Sequence, residues 1–486
     1  MKRRTAIKQI GFGLSAGLAL PWLSSCKEDG PGPEIKYDGV VGIIGAGAAG
    51  LLAADILISK GVKVKIFEAS NRLGGRVCSL RRSDVSTESL IVFPAALPYS
   101  DFPLELGADR VIGSDSRWKE IIELMKVPLV DFRASSEDAF FIDGNVFSEA
   151  DALFDNDFLN AKNFREGFAS FSGGANTTVL QAAQGAGVVA RMNGIINSWL
   201  GNTYGSSANR IGANALAEAL AQVTHDGKEF TSSTNPLQDV LLSRYVRAVS
   251  SVQYNTKVQS VNYGGEKVEI THSGGTDTVD KVIVTVPVSI LKAGDISFSP
   301  ALPTSKTGAM SRIGMDASMR VILEFKRNFY GEATAAILGG VQGPDYLNNA
   351  IGRSELNRTL SITINGEKAE QLSGLTGDQV VLQLLSEMDA VFDGKATENI
   401  RRDTADNSLV YTIKDWTKDP LIKGGVSYPL PGGANSDRTD LGAPVGDKLF
   451  FAGEATDDTG EFGTVSGALK SGERAAMEVV EAILAP

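Results

Sequence analysis

The chain has 486 residues, 43% of them hydrophobic, with 53 glycines and a formal charge of −11. That length buries a sizeable core and suggests two or three domains. The acidic balance disfavours a nucleic-acid partner, because phosphate backbones recruit clustered Lys and Arg.

The first 25 residues read as an export signal. Arg3 and Arg4 lie in "KRRTAIK", and the apolar stretch 10–23 is interrupted by Gly11, Gly13, Gly17 and Pro21, too short and broken to span a bilayer. Losing its four basic residues and no acid takes the formal charge from −11 to about −15. The stretch resembles a twin-arginine signal, with Ala6 in the place of its usual Phe. "LSSC" at 23–26 resembles a bacterial lipobox. That predicts an exported protein anchored to a bacterial membrane, on the periplasmic side or the cell surface, by acyl chains on Cys26. Residues 26–39 then form a flexible polar leash. With Cys26 lipidated only Cys78 remains, so no internal disulfide is expected.

Residues 41–50 read "VGIIGAGAAG". Val40, Val41, Ile43 and Ile44 predict a strand buried on both faces, and helical periodicity follows from Ala48 and Ala49 to Ser59. Gly45, Gly47 and Gly50 stand at GxGxxG spacing: the first for a tight turn, the second for close approach of a pyrophosphate, the third for helix–strand packing. A second strand, "VKVKIFE", ends in Glu68, eighteen positions after Gly50, where a carboxylate can accept hydrogen bonds from ribose hydroxyls. A dinucleotide site results, with NAD and FAD both open.

Further along come "EASNRLGGRV" at 68–77 and "LELGADRVIG" at 104–113. Helical patterns broken by Gly and Asn fill 151–230, and "VDKVIVTVPVSIL" occupies 279–291. "ASMRVILEF" at 317–325 and "TLSITI" at 359–364 read as strands. "WTKDPLIKGGVSY" spans 416–428, and "KLFFAGEATDDTGEFGTVSGALKSGERAA" reads as a strand followed by a closing helix. His225 and His272 lie far apart and are expected at the surface, with no metal cluster.

The segments at 68–77, 279–291 and 448–476, in that order, resemble those of flavin-dependent amine oxidases, which include monoamine, polyamine and L-amino-acid oxidases. The resemblance implies FAD, bound without a covalent link. It implies an α/β fold: a discontinuous Rossmann-like FAD-binding domain (40–95, 240–300 and 425–486) plus a mixed-sheet and helical substrate domain (96–239 and 301–424). The active site lies where the two meet. To the glycines, Ala48, Ala49 and Glu68 it adds Ala69, Arg72, Gly75 and Arg76 behind the second strand, and Val258 beside the adenine. At the C-terminal end it adds Gly453, Glu454, Thr464 and Val465, with Glu454 taking a ribityl hydroxyl and the helix N-terminus facing the flavin ring.

Several positions depart from the family pattern. Arg320 stands where most of these oxidases place a lysine near flavin N5; the alternative is a surface arginine on a strand edge. Val426 follows the Gly-Gly pair where monoamine oxidases carry the flavin-linking cysteine, and Ser427 and Thr464 replace the aromatic sandwich. Trp416 lines the flavin or belongs to the core. Arg110 falls where L-amino-acid oxidases bind the substrate carboxylate, or is a solvated loop residue beside Asp109. The implied function is oxidation of the C–N bond of an amine or L-amino acid to an imine, with hydride transfer to FAD and O2 as acceptor, giving H2O2. A desaturase or dehydrogenase with another acceptor, a polyamine-type oxidase and a non-catalytic flavin lipoprotein remain as alternatives.

Overall fold

The computed structural model describes residues 34–80, 91–92, 102–354 and 358–485. The export signal and Cys26 lie outside these, as does most of 81–101. The described end of the leash departs from expectation. Ile35 donates its N–H to Lys60 O at 2.8 Å, and Ile35 and Tyr37 pack on the core, so 34–39 is docked chain. Two apolar side chains outweigh the polar composition around them.

Strands Val40–Ile44, Lys63–Phe67, Val252–Gln253, Lys281–Val284 and Leu449–Phe451 form one parallel sheet. Ile43 stands opposite Ile66 on one side and Ile283 on the other. The β-branched run at 40–44 is explained by burial on both faces. Val41, Ile43, Ile66 and Phe450 pack against helices Ala48–Ser59 and Val465–Leu484. Ile44, Phe67, Val282 and Phe451 pack against a smaller sheet of strands Gly275–Val279, Val268–His272, Val258–Asn262 and Ser297–Ser299. The two helices touch closely: a Cβ on Gly472 would stand 2.4 Å from Ala49 O.

His272 departs from its expected place. It lies on the smaller sheet with its side chain 8% exposed, Nε2 3.0 Å from Asp277 Oδ2, and its ring beside Phe67. A carboxylate partner and a ring neighbour make an inward position favourable.

The remaining chain builds a mixed eight-stranded sheet. At its centre Ser318–Glu324 pairs antiparallel with Thr359–Asn365 and Tyr411–Asp415, and Arg320 stands opposite Thr363 and Lys414. Helix Gly377–Val391 packs on one face. A helical layer including Val179–Gly185 and Ala213–Leu220 covers another part. The α/β expectation is borne out.

Candidate functional site

A cavity of about 780 Å³ runs from the first glycine turn, past the N-terminus of helix Val465–Leu484, to the central strands of the mixed sheet. Its cofactor end is built from the sequence motifs. Gly47 lines it, and a Cβ there would meet nothing within 4 Å, which leaves room for a phosphate beside the backbone. Gly50 sits behind the lining, where a Cβ would stand 2.1 Å from Gly45 O. Glu68 Oε2 accepts the Ala46 N–H and Oε1 the Ser70 N–H, both at 2.8 Å. Those bonds fix the carboxylate, and Oε2 retains acceptor capacity for a ribose hydroxyl. Ala48, Ala49, Ala69, Gly75, Val258, Gly453 and Val465 also line the wall.

Glu454 ties three segments together. Its Oε1 accepts from Arg76 Nη1 at 2.7 Å, and its Oε2 accepts from Ser427 Oγ at 2.6 Å and the Gly463 N–H at 2.8 Å. Burial pushes its carboxyl up, but Arg76, Ser427 and Arg438 prevail and hold it below the usual carboxylate range. A ribityl hydroxyl there would compete with these donors, so the geometry gives Glu454 a fastening role. Thr464 is a helix cap: its hydroxyl accepts the Gly467 N–H at 3.0 Å and donates to Glu461 O at 2.6 Å. Arg72 donates to Gly75 O at 2.8 Å and lies over the Trp416 ring. Trp416 is buried, lines the cavity and donates Nε1–H to Leu106 O at 2.8 Å.

At the other end the two candidate arginines are already paired. Arg320 is only 5% exposed; Nη1 donates to Asp109 Oδ2 at 2.5 Å and Ser361 Oγ at 2.9 Å, and Nη2 donates to Gly107 O at 2.9 Å. It is therefore no surface arginine. Arg110 Nη1 donates to Glu229 Oε1 at 2.9 Å, and its Nε lies 3.7 Å from Asp109. Arg110 lines the cavity with its side chain 26% exposed, and the partner it has there is a protein carboxylate 119 positions away in sequence. Burial would raise the Asp109 carboxyl, but Arg320 and Arg110 together lower it.

Sequence reasoning missed Asp345 and Asn202. Asp345 opens the strand Asp345–Asn348 and lines the cavity; its Oδ2 accepts from Asn202 Nδ2 at 2.8 Å. It has no ion-pair partner among the described residues. Burial pushes its carboxyl up to about 6, against smaller opposing pulls from Asn202, Ser198 and Arg110. Of the other cavity carboxylates, Asp109 pairs with Arg320, Glu454 with Arg76, Asp419 with Lys414, Glu461 with Lys470 and Asp295 with Lys423, while Glu68 and Asp226 are held by hydrogen bonds at the cofactor end and the rim. The one available signal was "GGVQGPD", a glycine-rich turn delivering an acid to a strand.

A family model for flavin containing amine oxidoreductases matches residues 48–480. The chain belongs to this family. Its cofactor is FAD, and the residues fit it: the open wall at Gly47, the fixed Glu68 carboxylate and two helix N-termini on one cavity. Among curated relatives, human "Lysine-specific histone demethylase 2" is 25% identical over 92% of this chain and 54% of its own. The rice "Lysine-specific histone demethylase 1 homolog 1" is 26% identical over 97% and 55%. The chain thus spans about half the length of the curated relatives it matches. In fold, it is similar to putrescine oxidase bound to putrescine, with a TM-score of 0.74 and 18% identity over 91% of this chain and 99% of that one. It is also similar to cyclohexylamine oxidase from Brevibacterium oxydans IH-35A, with a TM-score of 0.72 and 20% identity over 92% and 99%.

FAD is expected to be released by denaturation. Val426 lines the cavity without a thiol, and Cys78 is buried in an apolar cluster with Leu104 and Phe102. After acid precipitation the yellow chromophore stays in the supernatant. Flavin carried down with fully denatured protein contradicts this.

Proposed function

We propose that the protein oxidises the C–N bond of an amine bearing a second cationic group, giving an imine, with O2 as acceptor and H2O2 as product. The observation that carries this reading is the charge balance of the cavity. Its substrate-end guanidiniums, Arg110 and Arg320, already contact Glu229 and Asp109, whereas the Asp345 carboxylate has no ion-pair partner among the described residues and feels Arg110 only at longer range. A substrate carboxylate would have to share Arg110 with Glu229 and Asp109, both like-charged to it, while an ammonium would relieve the cost of keeping Asp345 ionised. The structural neighbours are in keeping with an amine rather than an amino acid, being named for putrescine, a diamine, and cyclohexylamine, a monoamine.

FAD, when bound, would supply the two-electron acceptor, and the N-terminus of helix Val465–Leu484 on the cavity wall would favour negative charge on a ring held beside it. Asp345 holds the ammonium that does not react. The reacting nitrogen must be neutral to release a hydride from its carbon, so it belongs away from that carboxylate. Asn202 fixes Asp345 by donating to it and to Thr363 O at 2.9 Å. A guanidinium is a poor proton carrier, so Arg320 serves through its hydrogen bonds to Asp109, Ser361 and Gly107.

Peroxide release from a panel of monoamines, diamines and amino acids tests the reading. Turnover of diamines with little or none of amino acids is expected, and turnover confined to amino acids overturns it. If amines reduce an artificial dye but yield no peroxide, the acceptor is not O2, which the arginine in the lysine place would favour.

Export and anchoring through Cys26 are part of the same proposal, supported by the paired arginines and "LSSC". Cys26→Ala is expected to move the protein from the membrane to the soluble fraction on cell breakage. A variant that stays with the membrane overturns the anchor.

A further inference from the structure

We infer that Glu387, outside the cavity lining, is a positioning residue that sets the cavity's preference for a second cation by clamping the turn that presents Asp345. The inference rests on the reading of Asp345 given above.

The turn 339–344 joins strands Thr334–Leu338 and Asp345–Asn348. From helix Gly377–Val391, Glu387 reaches three successive backbone donors in it. Oε1 accepts the N–H groups of Val341 at 2.6 Å and Gln342 at 2.9 Å, and Oε2 accepts that of Gly343 at 2.9 Å. Tyr346, the residue after Asp345, donates its hydroxyl to Oε2 at 2.7 Å. Successive N–H groups closing on one carboxylate make a nest that only an acceptor on every side can satisfy.

The opposite side of the turn is held by Ser198. Its Oγ accepts the Gly339 N–H at 2.8 Å and donates to Pro344 O at 2.6 Å. Ser198 lies in the widened helical turn Asn197–Gly201, immediately before Asn202, the donor to Asp345. The turn has no slack: a Cβ on Gly340 would stand 2.3 Å from Gly343 O and 2.8 Å from Glu387 Oε2. Asp345 is thus mounted between a clamp at its chain neighbours and a donor at its side chain. A carboxylate held this way meets a fixed ammonium without reorganising, which gives selectivity rather than hydride-transfer rate.

Glu387→Gln keeps the shape but turns an NH2 group toward backbone donors, so the turn must shift. The expected result is a KM for an α,ω-diamine raised about tenfold, the scale of one charge-assisted hydrogen bond lost, with the KM of the monoamine of equal length and both kcat values unchanged. Tyr346→Phe removes one of the four donors and shifts the same ratio by less, which keeps the test available if Glu387→Gln folds poorly. FAD content and Tm are read alongside. A general loss of stability would move both substrates together, so a fall in Tm with an unchanged diamine-to-monoamine ratio overturns the clamp. A wild type indifferent to the second nitrogen overturns the reading of Asp345 and the clamp with it. A wild type that prefers diamines, with both variants equally selective, overturns the clamp alone.

Discussion

Asp345→Asn is expected to lower kcat/KM for an α,ω-diamine by at least about two orders of magnitude while sparing the matching monoamine. Removing one partner of a buried charge pair costs roughly 3–5 kcal/mol, and about 1.4 kcal/mol is a factor of ten. The amide keeps the hydrogen bond from Asn202 and the volume, so the loss reports charge. The pH profile adds a second readout. Burial holds the Asp345 carboxyl near about 6 rather than at its ordinary value, so lowering the pH through that point protonates it and discharges the cation site. The wild-type diamine profile should therefore fall on the acid side of about 6, a limb that Asp345→Asn lacks. A variant that discriminates diamines as well as the wild type, or keeps the limb, contradicts the assignment.

Arg320→Met is expected to destabilise the fold by roughly 3–5 kcal/mol at neutral pH, because it strands the buried Asp109 carboxylate. Asp109 is 6% exposed, and Arg320 supplies its 2.5 Å hydrogen bond. The sign with pH follows from the lowered Asp109 pKa. In the wild type the pair contributes stability above the ordinary carboxylate pKa of about 4, and loses it as the pH falls through the lower native value. In the variant, desolvation is opposed only by Arg110 and by the backbone N–H of Asp109 itself, so protonation at acid pH relieves the stranded charge. Thermal melts of both proteins at pH 7.5 and pH 4 should show a Tm gap that narrows at the lower pH. A gap of the same size at both values would mean that the loss is one of packing.

The cofactor end was legible in the sequence because its chemistry is backbone chemistry in local motifs. The run from Gly45 to Gly50, with Glu68 closing the next strand, needs only the strand–turn–helix it encodes, and those residues meet on or directly behind one wall. The substrate end is long-range side-chain pairing, which periodicity does not carry. Arg110 meets Glu229 and Arg320 meets Asp109 across 119 and 211 positions, so two arginines that look available in the sequence are already paired in the fold. Asp345 carries no motif, and the role proposed for it rests on the ion-pair partner it lacks among the described residues, which neighbours in the chain do not announce. Glu454 and Thr464 were placed at the cavity by their motif, but their hydrogen bonds give them fastening and capping roles that the motif does not specify.

The most direct test is anaerobic reduction of the bound FAD, followed by loss of flavin absorbance on mixing with single substrates. Chemistry at the flavin is read without O2, so the identity of the acceptor does not enter. The account predicts bleaching by amines, with α,ω-diamines effective at lower concentration than monoamines of equal length, and none by L-amino acids. Bleaching by L-amino acids with amines inert, or an FAD that no amine reduces, would contradict it.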